Sequence, residues 1–166
     1  QAIAAAEHRR RTLPELAQIE QGSATVDRLR GSLVLRQAEI GDLDRDARKL
    51  DNEIEAVRTR ARRDNERLAA GTAPAKDLEN MQHELTSLAR RQSTLEDDAL
   101  ELMERREEAG AEAGRLEAEL AAAQSEVSAA QQRRDDAVAD IDDEIRRVAA
   151  ERAGLLDGMP ADLMKL

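Results

Sequence analysis

No Phe, Tyr, Trp or Cys occurs among the 166 residues. Aromatic side chains usually dominate the filling of a globular core, so their absence argues against a wide one. The absence of cysteine excludes disulfides, thiol catalysis and cysteine zinc ligation within these residues. Proline and glycine are scarce, at 3 and 8 residues, which leaves long stretches free of helix breakers. No apolar run approaches the roughly 20 residues needed to span a bilayer. No signal-peptide pattern is present, and the cytoplasm is the default location.

What remains is charge in heptad order. Charged residues make up 37% of the chain, with a net charge of −10. Such polarity also suits a disordered acidic segment, but a disordered chain has no reason to hold a phase. Alternating steps of three and four from Ile19 give Gly22, Val26, Leu29, Leu33, Arg36, Ile40, Leu43, Ala47, Leu50, Ile54, Val57, Ala61, Asp64 and Leu68. Twelve of these fifteen positions are apolar. A second register begins at Leu78 and runs through Met81, Leu85, Leu88, Gln92, Leu95, Ala99, Leu102, Arg106, Ala109, Ala113, Leu116, Leu120, Ala123, Val127, Ala130, Arg134 and Ala137 to Ile141. A repeat of 3.5 residues places a narrow apolar stripe on a helix, and that stripe is buried against another helix. The two stripes flank Gly71-Thr72-Ala73-Pro74-Ala75-Lys76, a helix-breaking turn. The fold class is therefore all-α: a long antiparallel two-helix coiled-coil hairpin with a short extra N-terminal helical segment.

The expected organisation is a helical segment at 1–11, helix A at 12–70, a turn at 71–76, helix B at 77–157, and 158–166 as the start of a linker. Thr12-Leu13-Pro14-Glu15 reads as a fresh helix start, with Thr12 as cap and Glu15 at the capping-box position. Asp77 or Thr72 is the candidate cap of helix B, and Gly158-Met159-Pro160 its stop. The chain opens at Gln1 in helical pattern without an initiator Met and stops at Leu166 in a further helix start, so both ends are expected to be cut. With a turn centred near residue 73, helix A reaches along helix B only to about residue 133. Ile141, Ile145, Val148 and Leu155 then need another cover. Residues 1–11 with a preceding segment could supply it, and so could dimerisation through the stripe.

A resemblance enters at the turn. Lys76-Asp77-Leu78, then Met81-Gln82-His83-Glu84-Leu85, Leu95-Glu96-Asp97 and Glu101-Leu102-Met103-Glu104, resembles bacterial C4-type zinc-ribbon proteins with an N-terminal coiled-coil hairpin. Leu13-Pro14-Glu15 and Pro160-Ala161-Asp162-Leu163 match that pattern at corresponding places. The resemblance implies a zinc ribbon of two Cys pairs beyond Leu166, which this chain lacks. No cofactor is expected in the chain itself, and zinc is implied only for the missing ribbon. Some members of that family are described as flagellar or type III secretion regulators that bind RNA or protein partners. The resemblance thus implies an adaptor stalk with protein partners, with RNA or DNA as a second partner class for the full-length protein.

Candidate chemistry is sparse. His8 and His83 are the only histidines, and a metal site needs several converging ligands. Asp97-Asp98 and Asp142-Asp143 are acid pairs without a pocket to shift their pKa values, so they read as solvated surface and not as acid–base couples. No catalytic residue is assigned and the chain reads as non-enzymatic.

Charge is uneven. Residues 58–76 hold six cations (Arg58, Arg60, Arg62, Arg63, Arg67 and Lys76) against two anions. A basic tip suits phosphate or an acidic protein surface. The blander reading is pairing with Glu79 and Glu84 across the turn, or a solvated helix face. Without aromatics no base can be stacked, so any RNA contact there would be electrostatic and salt-sensitive. Arg36, Asp64, Gln92, Arg106 and Arg134 interrupt the stripe and read as devices that select register, with flanking acids as partners. Gly31, Gly110 and Gly114 weaken both helices near Arg36 and Arg106, so a hinge is expected there. The hairpin is expected to be a monomer or weak dimer and not to enter a membrane. The rival reading is a purely structural oligomerisation coiled coil with no nucleic-acid role.

Overall fold

The computed structural model describes residues 1–157. They form three helices: α1 at Ala2–Arg11, α2 at Pro14–Ala70 and α3 at Ala75–Asp157. The expected stop at Gly158-Met159-Pro160, the linker at 158–166 and the Pro160-Ala161-Asp162-Leu163 match lie outside the described residues.

α2 and α3 are the arms of a coiled-coil hairpin. Ion pairs fix the antiparallel sense. Glu53 pairs with Arg91, Asp44 with Arg106, and Arg36 with Glu112, so numbers fall on one helix as they rise on the other. The seam lies where the heptads place it. Every seam position of α2 from Ile19 to Leu68 is buried or half-buried. On α3 the same holds from Leu78 to Ile141 except at Arg106, which is exposed.

The reversal is built on Gly71. It is the one described residue with positive φ, at 61°, a conformation that glycine adopts without a Cβ penalty. The Gly71 N–H donates to the Leu68 carbonyl at 3.1 Å and closes α2. Pro74 then presents its carbonyl to the N–H groups of Asp77 (2.9 Å) and Leu78 (3.1 Å), which starts α3. Asp77 is therefore not a cap. It sits inside the first turn, where a carboxylate complements the positive end of the helix.

The α1–α2 break differs from the sequence reading. Thr12 was expected to cap α2 but closes α1 instead. Its hydroxyl donates to the His8 carbonyl at 3.0 Å, and its N–H donates to the carbonyls of His8 and Arg9. A threonine hydroxyl next to a helix end finds the free carbonyls behind it as readily as the free N–H groups ahead. Pro14 takes the first position of α2, where no N–H is needed.

By internal packing the described residues form two units, residues 1–31 with 118–157 and residues 32–117. In the first, α1 lies along the end of α3. Arg9 reaches Glu144 at 2.6 Å and Arg10 reaches Asp142 at 3.1 Å. Ala6 is 1% exposed and Ile141 7%, and Ile145 and Val148 are half-buried. α1 thus covers the stretch of α3 that α2 is too short to reach, while Leu155 stays exposed. In the second unit Leu95 is the largest fully buried side chain, and Leu43 and Ile54 join it in the core.

Candidate docking surface at the hairpin tip

The last four turns of α2 carry five of the cations, and Lys76 lies at the start of α3. Arg58, Arg60, Arg62, Arg63, Arg67 and Lys76 are all exposed, but their surroundings differ. Arg58 donates to Glu96 of α3 at 2.8 Å. Arg60 pairs with Glu84 of α3. Arg62 lies 3.6 Å from Glu55 on its own helix. Arg63, Arg67 and Lys76 have no ion pair among the described residues. The pairing across the turn is thus real at Glu84 and absent at Glu79. Exposed pairs of this kind contribute little to stability.

Beside the unpaired arginines lies the one buried charged side chain of the described residues. Asp64 occupies a seam position and is 9% exposed. Its Oδ2 is buried and accepts no hydrogen bond. Arg60, Arg63, Asp64 and Arg67 follow at helical spacing, so they share one face of α2. With Glu55, Thr59 and Glu84 they line a shallow groove. A buried carboxylate oxygen without a donor is costly, and native structures rarely leave one so. The sequence marked Asp64 as a register device. That its carboxylate lines the basic face as an orphan depends on side-chain placement and carried no sequence signal.

The family of the CT398-like coiled coil hairpin domain matches residues 1–166. The chain belongs to this family. Among relatives of this hairpin domain, a protein of Mycobacterium tuberculosis named only as uncharacterized is 36% identical over 159 residues, covering 96% of this chain and 65% of that protein. One from Mycobacterium leprae, likewise named as uncharacterized, is 35% identical over 138 residues, covering 81% and 58%. The chain therefore spans less than two thirds of the length of these relatives. A solved structure from Mycobacterium smegmatis has 33% identity and a TM-score of 0.81, covering 99% of this chain and 68% of that one.

In this CT398-like hairpin the other polar seam residues have acidic partners. Arg36 donates to Glu39 at 2.5 Å and lies 2.8 Å from Glu112 of α3. Partial burial disfavours the Arg36 charge, yet hydrogen bonds to and attraction by Glu112 and Glu39 outweigh it and raise its pKa above the ordinary guanidinium value. Arg106 holds Asp44 at 2.7 Å with its head outside the seam, as a long guanidinium stem allows. Arg134 pairs with its neighbour Asp135. Gln92 donates to Glu96 at 2.8 Å. That bond and the one from Arg58 hold the Glu96 carboxyl below its ordinary pKa.

The glycines divide in two. Around Gly31, Gly110 and Gly114 an added Cβ would meet nothing within 4 Å. At Gly22 it would lie 2.5 Å from Cγ2 of Val127. Gly22 is thus a close approach of α2 to α3, a role its seam position could have suggested. No three His, Asp or Glu side chains gather as a metal would require, and no helix is long and apolar enough to cross a membrane, both among the described residues.

Proposed function

We propose that the chain is the non-enzymatic stalk of an adaptor that docks a protein partner at its basic tip. The observation that carries this reading is the set Arg63, Arg67 and Lys76, exposed and without ion pairs in an otherwise acidic chain. Opposite charge on a partner would steer and orient docking there. Relatives longer than this chain leave room for a second contact module. The turn and Lys76-Asp77-Leu78 support a four-cysteine zinc ribbon as that module, binding nucleic acid or protein. The chain has no cysteine, so the zinc of such a ribbon is held outside these residues and no step of this reading runs through it. The reading places the protein in the cytoplasm.

The test is a photo-crosslinking residue placed at Arg67 or, as a control, at exposed Arg115 in the full-length protein in its own host. A protein adduct at 67 that is absent at 115 and lost in R63E/K76E supports docking. Equal adducts at both sites, or none, make the stalk a passive spacer.

Oligomerisation as a rod is the second reading. Val34, Leu35, Leu100 and Met103 favour it, being 53–74% exposed. Sedimentation at several concentrations separates the two: a rod associates, a docking hairpin stays monomeric or forms a weak dimer.

A further inference from the structure

We propose that the tip groove selects an acidic protein segment carrying one Lys or Arg between its acids, and that Asp64 receives that cation. This rests on the docking reading above and names the chemistry of its partner. Along one face of α2 the free groups run Arg63, Asp64, Arg67, with Arg60 engaged by Glu84. The complement of plus–minus–plus is minus–plus–minus. Arg63 and Arg67 are open to carboxylates. Asp64 is more than nine-tenths buried, and its Oδ2 needs a donor that nothing in the described chain supplies. A carboxylate only accepts hydrogen bonds, so a purely anionic ligand leaves it orphaned and is repelled by it. An ammonium or guanidinium satisfies it with a charge-assisted hydrogen bond.

The same argument separates protein from nucleic acid. Phosphodiesters supply negative charge at regular spacing and no cation to set against Asp64. The chain also offers no aromatic ring on which a base could stack. Arg63 and Arg67 alone would attract RNA. Asp64 between them makes the groove a poor phosphate track and a good site for mixed charge.

The test uses fluorescence anisotropy with the 166-residue chain and three probes. The first is a short helical peptide whose central Lys is flanked by Glu on both sides. The second replaces that Lys by Gln, and the third is single-stranded oligo-uridylate. Wild type should bind the Lys peptide at least about fivefold tighter than the Gln peptide, although the Gln peptide is more negative. D64N should erase that preference with unchanged helicity, and R63E/R67E should weaken the Lys peptide about tenfold or more. R115E, a charge reversal away from the tip, should match wild type.

A Gln peptide bound as tightly as the Lys peptide, or a preference that survives D64N, overturns the proposal. If peptide binding still falls in R63E/R67E, docking at the tip stands without it. Oligo-uridylate binding tighter than either peptide and lost in R63E/R67E overturns it in favour of nucleic acid. Self-association that D64N abolishes, with no peptide bound, points to a second copy as occupant and overturns it too. No binding by any probe overturns it as well, and the crosslinking at position 67 then decides the docking reading separately.

Discussion

The two units of the hairpin solve one packing problem by different means. In the unit of residues 1–31 and 118–157, α2 and α3 meet closely at a glycine beside buried Val26, Leu29 and Ile141. Gly22 sits against Val127, and Ala130 is 2% exposed. Helices approach closely where the facing side chains are small. In residues 32–117 the buried seam positions are Leu43, Ile54 and Leu95 together with the small Ala109 and Ala113. Its helices are also joined by charge, through Arg36–Glu112, Arg106–Asp44, Arg91–Glu53 and Arg58–Glu96. One heptad thus carries a close glycine approach in the first unit and ion pairs between α2 and α3 in the second. Asp64 belongs to the second unit and departs from it, as a buried carboxylate without an ion pair.

The largest expected effect is at the most buried leucine of the seam. Leu95→Ala should cost about 2–5 kcal/mol in urea unfolding, the range for a fully buried leucine. Glu107, exposed on the same helix, should change stability by less than about 0.5 kcal/mol as Glu107→Ala. Equal losses would mean that the register is misplaced. Asp64→Leu extends the apolar stripe and removes the orphan carboxylate, so stability should rise by about 1–3 kcal/mol. A fall would show that Asp64 has a stabilising partner in solution.

Glycine substitutions probe the contrast directly. Gly22→Ala should destabilise by about 1–2 kcal/mol, because the clash with Val127 exceeds the gain in helix propensity. Gly114→Ala, with open space around it, should stabilise by up to about 1 kcal/mol. Thermal melts in which both variants gain would dissolve the distinction between the units. The smallest effect is acidic. Glu96 has a depressed pKa in the folded chain. Its contribution is present above the ordinary glutamate pKa and lost as pH falls through the lower folded value. Glu96→Gln should therefore lower stability slightly at neutral pH, match wild type once pH falls below the folded value, and so flatten the acid side of the stability–pH curve, as pH-resolved melts would show.

Much of this was legible beforehand, for identifiable reasons. The seam from Ile19 to Ile141 follows from a period that only a helix pair satisfies. Unequal arms called for a cover over Ile141, left open between residues 1–11 and a second copy, and α1 lies there. Arg106 leaves the seam because its stem is long enough to carry the charge out to Asp44, and a heptad alone cannot say which way a flexible side chain turns. Thr12 was misassigned because two helix ends compete for one hydroxyl. At the tip the sequence counted six cations but could not tell Arg60, engaged by Glu84, from Arg63 and Arg67, since that depends on which acids the turn brings within reach.

Gly71 also sets the order in which the chain can fold. Contacts beside it join near neighbours. Further out, Arg91 meets Glu53 across 38 residues, Arg106 meets Asp44 across 62, and Arg10 meets Asp142 across 132. Closing the last of these directly from an open chain would carry the largest loop entropy. Each level becomes nearly local once the level before it is closed, so the slow, long-range search expected of such separations does not arise. The molecule can therefore close as a zipper from the glycine outward. Pulled from its two ends, it should open in the reverse order, with the tip the last part to lose its shape.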